Sequence, residues 1–488
     1  MSIFQKLFKQ TFIYGLATVL PRVLSVILVP LYVNVLLPEE YGVYAGLMAF
    51  IILGNILLSY GMETAFFRFF TKQGINKKIV QSTTLTSLTV SSLVFLILSL
   101  IFNAELSYLL DFKKEYIFYG SWIMTLDALV VLPFVWFRAN EKPMRYAVLK
   151  IINVLVNLGL NLFFFLLLPV WSERISFFSS WWMPDNKVAY VFISNLVASA
   201  VTLFMVIPVY VKIGFGFQKN LWKQMLRYAF PVLISGIAFS INEAFDRILL
   251  KYLLPADIAE TEVGLYSACY KLGMFMTLFV MAFRLGIEPF FFNYSQNKNA
   301  RETYARITKY FTFLGCFILL FVIVYIDFFK IILIPNSQYW EALKIVPLIL
   351  AANLFLGIYH NLAVWYKVTD RTKYGAYISI IAAIITLIAN FILIPKIGYI
   401  GSAIATFLAY GTMMMLSYFY GQKYYEIPYN IKKIGSVLIT ALLFSSLSFY
   451  VFRGNIVVGT IFVLLFLGGL IYIEKATFKQ LIKRPKDI

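Results

Sequence analysis

Charged side chains are scarce in this chain of 488 residues. Asp, Glu, Lys and Arg make up 13% of the sequence, which is about half of their usual share in a soluble protein. Hydrophobic residues make up 61%, against roughly 45–50% in soluble domains. A soluble fold cannot bury that much apolar surface, so the excess must face lipid. The composition therefore excludes a soluble globular protein.

The chain also lacks the residues and motifs that many active sites need. Its single histidine excludes a histidine cluster and an H-E-x-x-H zinc site. Its two cysteines, Cys269 and Cys316, offer neither a metal-binding spacing nor a disulfide framework. The sequence contains no G-x-x-x-x-G-K-[ST] phosphate-binding loop and no G-x-S-x-G nucleophile motif. We therefore expect no enzyme, no ATPase, no metal and no resident cofactor.

Long apolar runs occupy most of the sequence. A helix needs about 20 apolar residues to cross a hydrocarbon core of roughly 30 Å. The runs do not alternate over about ten residues as barrel strands would, so they predict an all-α polytopic membrane protein. Fourteen segments qualify as spans, at residues 10–32, 41–62, 78–102, 116–138, 143–169, 187–211, 228–252, 263–287, 308–333, 342–366, 374–395, 399–421, 431–452 and 454–473.

The net charge of +19 follows the membrane topology and does not indicate a nucleic-acid surface. With the N-terminus in the cytoplasm, the basic loop FRANEKPMR and the basic tail EKATFKQLIKRPKDI both fall inside. The acidic loops LLPEEY and LPADIAETE then fall outside. This distribution is the positive-inside bias of membrane proteins. We predict that both termini are cytoplasmic and that the chain binds no nucleic acid.

Two stretches of the sequence echo each other. LLPEEYGVY at 36–44 and LLPADIAETEVGLY at 253–266 both contain Leu-Leu-Pro, an acidic loop and Gly-x-Tyr. Internal repeats are common in secondary transporters, whose substrate site lies between the repeats. We predict an N-lobe of six helices at 1–212, a cytoplasmic linker at 213–227, a C-lobe of six helices at 228–425, and helices 13 and 14 with a basic tail at 426–488.

Span 7 places charged residues inside an apolar run, in the sequence FSINEAFDRILL at 239–250. A central charge costs roughly 2.5–3.5 kcal/mol on insertion scales, so such groups need partners or a water-filled cavity. Successive helix residues are about 100° apart, which collects the polar side chains on one half of the helix. The polar half holds Asn242, Glu243, Asp246 and Arg247. We predict that this half lines a cavity.

Other spans have polar residues of the same kind. Arg22 stands in span 1, Asp127 in span 4 and Lys271 in span 8. Since these spans come from both halves, a shared aqueous cavity would satisfy their polar groups together. One face of span 5 carries a cation and three amides, which are Lys150, Asn153, Asn157 and Asn161.

Each of these groups also has a structural interpretation. Glu243 and Arg247, spaced i,i+4, can pair along the helix, and the asparagines of span 5 can join packed helices. In the structural interpretation, Asp127 is a buried neutral carboxyl. Lys271 then extends its ammonium group to the membrane surface. The sequence alone leaves both sets of interpretations open.

A cavity that collects these cations would favour an anion, because guanidinium and ammonium groups suit phosphate oxygens. The cations are Arg22, Lys150, Arg247 and Lys271. The acids would bind H⁺ or Na⁺ or balance the cations, and they are Asp127, Glu243 and Asp246. A lipid headgroup that bears pyrophosphate fits such a cavity. Without an ATP-binding motif, an ion gradient, the membrane potential or the substrate gradient must drive its movement.

The sequence resembles the polysaccharide (Wzx-type) flippases of the MOP exporter superfamily. The resemblance is carried by TFIYGLATVLPRVLSVILVPLYVNVLLPEEYGVYAGLMAF, YGMETAFFRFF and YAFPVLISGIAFSINEAFDRILLKYLL. It implies two six-helix lobes in a V-shape and alternating access. It also implies transfer of an undecaprenyl-pyrophosphate-linked oligosaccharide to the outer leaflet of a bacterial or archaeal plasma membrane, for O-antigen, lipopolysaccharide or a related polysaccharide. Arg22 matches an arginine that is frequent in the first helix of these flippases.

The resemblance also bears on partners and on competing functions. It implies contact with membrane lipids and polysaccharide assembly proteins, and we expect a monomer. A lipid II flippase would share the same charge pattern. An ion-coupled exporter of the MATE type would instead need a cavity rich in acidic and aromatic residues. The sequence does not distinguish a flippase for lipid-linked oligosaccharides from a flippase for lipid II.

Overall fold

The computed structural model describes residues 26–295 and 297–475, together with residues 15, 19 and 23. Every regular element within these ranges is helical, which confirms the all-α fold class. The long helices are α1 Val26–Val35, α2 Pro38–Thr71, α3 Lys77–Ile101, α4 Lys114–Ala139, α5 Pro143–Arg174, α6 Pro184–Ile213, α7 Lys219–Leu253, α8 Ala256–Ile287, α9 Ala300–Val324, α10 Ser337–Val368, α11 Lys373–Ile397, α12 Tyr399–Tyr424, α13 Ile431–Val451 and α14 Ile456–Ile473.

These helices follow the predicted spans in order. Among the described residues, the 13 helices from α2 to α14 are long and apolar enough to cross a membrane. Helix α1 overlaps the end of the first predicted span, at 10–32. Short helices at Asn103–Leu110, Ser176–Ser179 and Ile326–Leu333 lie between long ones. The chain is therefore a multi-pass membrane protein of about 14 helices.

The chain divides into two compact units, one ending at Ser267 and the other beginning at Ala268. The first unit contains α1 to α7 and the start of α8, and the second contains the rest. The division by lobes at 212 and 228 rests on the sequence repeat and stays a prediction.

A break in α2 shapes the first unit. The helix consists of Pro38–Ser59 and Met62–Thr71, separated by Tyr60 and Gly61 with φ angles of 33° and 70°. A Cβ atom on Gly61 would stand 2.5 Å from the carbonyl oxygen of Ala229 in α7. Glycine is needed here because it tolerates positive φ and has no side chain. The break redirects the second segment of α2, which begins just before Glu63.

The two copies of the Gly-x-Tyr repeat meet in the first unit. A Cβ atom on Gly42 in α2 would overlap the carbonyl oxygen of Glu260 in α8, and one on Gly264 would overlap the carbonyl oxygen of Pro38. Each of these Cβ atoms would also stand within 3.1 Å of the amide nitrogen of the other glycine. Helices α2 and α8 therefore cross at backbone contact, and the contact is reciprocal between matching positions of the repeat.

A buried lysine joins the ends of α7 and α8 in the first unit. Only 7% of Lys251 is exposed. Its Nζ donates to the backbone oxygen of Asp111 at 2.9 Å and to Oε1 of Glu260 at 2.9 Å, and it lies 4.2 Å from the centre of the Phe112 ring. A buried ammonium group needs such partners. The contacts hold α7, α8 and the loop before α4 together.

The second unit is organised around α9 and α10. Helices α13 and α14 pack against α9, and a buried ion pair strengthens this contact. Glu474, just after α14, is 4% exposed. Nζ of Lys309 in α9 lies 2.8 Å from both of its carboxylate oxygens, and Nζ of Lys433 lies 3.5 Å from Oε1. The last two described spans are thus part of the second unit.

Candidate functional site

A polar cavity of about 410 Å³ lies within the first unit, between α2, α4, α5 and α6. Apolar residues such as Met48, Ile123 and Phe134 form part of its wall. Its charged and polar lining residues are Asn55, Glu63, Asp127, Arg138, Tyr146, Lys150, Asn153, Asn195, Ser199 and Thr202. The cavity therefore brings together three residues that the sequence marked: Asp127, Lys150 and Asn153.

Asp127 lies deep in this cavity. It stands 12 residues before the end of α4 at Ala139, which is roughly 18 Å along the helix axis at about 1.5 Å per residue. Its Oδ1 accepts a hydrogen bond from Oγ of Ser199 at 2.8 Å, and its Oδ2 accepts one from Nδ2 of Asn55 at 3.2 Å. A carboxylate has about four acceptor positions. The geometry therefore leaves Asp127 capacity for a proton, a cation or a substrate donor.

Lys150 lies on the α5 wall of the cavity. Its Nζ stands 4.4 Å from the centre of the Phe134 ring. Within the described ranges no carboxylate oxygen lies within 4.0 Å of this Nζ, so Lys150 forms no ion pair there. The negative charge of Asp127 still acts on Lys150 from a greater distance. An ammonium group without a bonded carboxylate can attract an anion into the cavity.

An ion pair lies where the second segment of α2 meets the end of α4. Glu63 and Arg138 form a salt bridge, and both side chains are about half exposed, at 45% and 42%. The Arg138 guanidinium also lies 5.0 Å from the centre of the Phe67 ring. The described lining thus holds two acids and two cations. The cavity of the first unit is charge-balanced, whereas the predicted cationic cavity also included Arg22, Arg247 and Lys271.

The asparagine ladder of α5 has two different environments. Asn153 reaches the cavity, and its Nδ2 donates to Oγ1 of Thr202 at 2.9 Å. Asn161 is fully buried. Its Oδ1 accepts from the Tyr32 hydroxyl at 2.8 Å, and its Nδ2 donates to the backbone oxygen of Asn157 at 2.8 Å. Asn161 therefore joins α5 to α1, as in the packing interpretation, and Asn157 accepts its second hydrogen bond within α5. Asn153 lines the cavity.

The charges of α7 form a separate cluster in the first unit. Arg247 Nη1 lies 3.1 Å from Oδ1 of Asp246, whose other oxygen accepts the hydrogen bond of the Tyr266 hydroxyl. The side chains of Arg247 and Asp246 are 13% and 6% exposed. Arg247 reaches Glu243 only at its backbone oxygen, 3.2 Å away. The interpretation that Arg247 pairs with the Glu243 carboxylate is therefore wrong. The guanidinium pairs with Asp246, which also accepts the hydrogen bond of Tyr266.

The remaining predicted residues have different positions. Asn242 is 8% exposed and donates to the backbone oxygen of Ala238 at 3.1 Å. Lys271 begins a short 3₁₀ turn, Lys271–Gly273, that interrupts α8 in the second unit. Arg22 lies outside the described residues. The roles of Arg22, Asn242 and Lys271 in substrate binding stay predictions.

The structure adds residues that the sequence analysis did not select. Asn195, Ser199 and Thr202 line the cavity from α6, and their spacing of four and three residues places them on one helix face. That spacing is visible in the sequence and could have predicted a polar face on α6. Glu63 and Arg138 had no such signal, because they are 75 positions apart and each lies near the end of an apolar run.

Comparison with known proteins agrees with this fold. A family model described as polysaccharide biosynthesis protein matches residues 7–294, while no curated protein matches the sequence significantly. The structure of the lipid II flippase MurJ in an inward closed conformation is similar, with a TM-score of 0.73 and 16% identity over 94% of this chain and 99% of that chain.

Two other solved structures share the fold. An inward-facing multidrug resistance MATE family transporter of the MOP superfamily has a TM-score of 0.63 and 13% identity, over 87% of this chain and 96% of that chain. A MOP superfamily transporter from Pyrococcus furiosus, whose binding pocket is described as having reverse polarity, has a TM-score of 0.53 and 13% identity, over 86% and 94%. Since the family model covers more than half of the sequence, this chain belongs to the polysaccharide biosynthesis protein family, and it has the fold of the MurJ and MATE transporter structures.

Proposed function

We propose that the chain is a flippase for undecaprenyl-pyrophosphate-linked oligosaccharide repeat units. It moves them from the cytoplasmic to the outer leaflet of a bacterial or archaeal plasma membrane by alternating access, without hydrolysing ATP. The family supports a role in polysaccharide biosynthesis. The absence of a phosphate-binding loop motif from the sequence supports transport driven by gradients.

The observation that carries the proposal is the cavity of the first unit. It places polar groups at membrane depth in a helix bundle, where they are costly unless they serve water or a substrate. Lys150 supplies a cation for a phosphate oxygen, and Asn153 and Thr202 supply groups that hydrogen-bond hydroxyls. Asp127 and the ion pair of Glu63 and Arg138 balance the charge when substrate is absent. A sugar linked to pyrophosphate needs both kinds of contact.

Reconstitution into vesicles tests the substrate. Purified protein should move a fluorescent undecaprenyl-pyrophosphate oligosaccharide across the bilayer at least tenfold faster than protein-free vesicles. Exposure of the sugar to a membrane-impermeant lectin or glycosidase reports its sidedness. Fluorescent phosphatidylcholine serves as the control lipid. Faster movement of lipid II than of the oligosaccharide would replace the proposed substrate, and movement of neither would remove the flippase assignment.

Ion coupling is assigned to the α7 cluster. We expect transport to depend on H⁺ or Na⁺, and Asp246→Asn to flatten that dependence, since the substitution removes the charge that pairs with Arg247 but keeps an acceptor for Tyr266. Transport rates across a pH series, with and without Na⁺, measure the effect. Asp257→Asn, at an exposed position at the start of α8, is the matched control. Wild-type transport rates that depend on neither H⁺ nor Na⁺ would contradict the assignment.

A further inference from the structure

A second groove lies on the surface of the first unit, separate from the polar cavity. It has a volume of about 490 Å³ and runs between the end of α4, the start of α5 and the end of α6. Three basic residues line one part of it: Lys142, Arg145 and Lys212. The proposed transport function uses none of them.

The three cations are crowded and have no acidic partner in the described part of the chain. Among the described residues, no carboxylate oxygen lies within 4.0 Å of a side-chain nitrogen of these three residues, which is the limit for an ion pair. Two of them lie near the Trp136 ring, with Nζ of Lys142 and Nζ of Lys212 at 4.6 Å and 5.3 Å from its centre. Burial against neighbouring atoms and the charges of Lys212 and Arg145 lower the pKa of Lys142. The cluster therefore has an uncompensated positive charge.

The rest of the groove is apolar and exposed. Met144, Val148 and Met205 line it and are 61%, 45% and 38% exposed. Met205 stands eight residues before the end of α6 at Ile213, which is roughly 12 Å along the helix. Because α5 and α6 are membrane-spanning helices, this wall faces the hydrocarbon region and the cations lie at its edge.

We propose that this groove binds one anionic phospholipid, with its phosphate on Lys142, Arg145 and Lys212 and an acyl chain along Met144, Val148 and Met205. The charge of the cluster matches the headgroup, and the depth of the apolar wall matches a chain that enters the bilayer. A soluble phosphate would use the cations but leave the apolar wall uncovered. A zwitterionic lipid would cover the wall but add no net negative charge.

Native mass spectrometry of the full-length protein in detergent tests this site. Delipidated protein is titrated with phosphatidylglycerol, phosphatidylcholine or inorganic phosphate. We expect at least tenfold tighter binding of phosphatidylglycerol than of phosphatidylcholine, and at least a tenfold loss when Lys142, Arg145 and Lys212 are changed to Gln together. Arg145→Gln alone should lower the affinity about threefold, and it keeps the test usable if the triple variant fails to fold.

A matched triple variant separates this site from general charge attraction. Lys72 follows α2 directly, and Lys77 and Lys78 are the first two residues of α3; all three are exposed. They lie at the same end of the helices as the groove. Changing them to Gln removes the same charge, and we expect affinity for phosphatidylglycerol to stay within twofold of wild type. Equal losses in both triple variants would overturn the proposal. Inorganic phosphate that displaces the lipid would also overturn it, since the site would then take a soluble anion.

Discussion

Gly264→Ala should destabilise the protein, although alanine is the better helix former. Alanine in a helix interior is normally favoured over glycine by about 1 kcal/mol. Here the added Cβ atom overlaps the backbone oxygen of Pro38, and a backbone atom cannot rotate away. Helices α2 and α8 must separate, which should lower the free energy of unfolding by about 1–3 kcal/mol, as overpacking does in other cores. The midpoint of thermal unfolding in detergent measures the change.

Gly159→Ala is the matched control for this prediction. Gly159 stands within α5, and among the described residues a Cβ atom there would have no atom of another helix within 4 Å. We expect this variant to be as stable as wild type or slightly more stable. Gly42→Ala should resemble Gly264→Ala, and the double variant should be less than additive, because one overlap already moves the helices apart. If Gly264→Ala unfolds at the same temperature as Gly159→Ala, the result would contradict the backbone contact between α2 and α8.

The same contact shows what the sequence repeat could and could not predict. Gly-x-Tyr occurs at matching places in LLPEEYGVY and LLPADIAETEVGLY, so the equivalence of Gly42 and Gly264 was visible. Their contact was not, because a repeat gives no distance between its copies. The spans were predictable for a simpler reason. Helices in lipid must be long and continuously apolar, and this requirement is local in sequence.

The site was predictable only in part, for a related reason. Helical spacing assigns Lys150, Asn153 and Asn161 to one face of α5, but it does not give the neighbour that each residue meets. The structure shows that Asn153 meets Thr202 and the cavity, while Asn161 meets Tyr32 of α1. A partner on another helix is a long-range property of packing. Arg247 shows the same limit within one helix, since Tyr266 of α8 helps to fix which carboxylate it meets.

Lys150→Met should lower the rate of oligosaccharide transport at least tenfold. Methionine keeps most of the length of the side chain but removes the ammonium group, and with it the contact of Nζ with the Phe134 ring. A hydrogen bond to a charged group contributes about 1.5–3 kcal/mol, and about 1.4 kcal/mol corresponds to a tenfold change. Lys150→Arg should retain most of the activity, because it keeps a cation at the same wall. Initial rates in the reconstituted sidedness assay measure both variants, and thermal unfolding checks that they are folded.

Two further variants decide whether the effect comes from the charge in the cavity. Lys219→Met removes an exposed lysine at the start of α7 and should leave transport unchanged. Asp127→Asn combined with Lys150→Met restores the charge balance, because the cavity then keeps only the pair of Glu63 and Arg138. The double variant should remain inactive if Lys150 holds the pyrophosphate, and it should recover activity if Lys150 only neutralises Asp127. Wild-type rates in Lys150→Met itself would remove Lys150 from the substrate site and leave Arg22, Arg247 and Lys271 as the predicted cations.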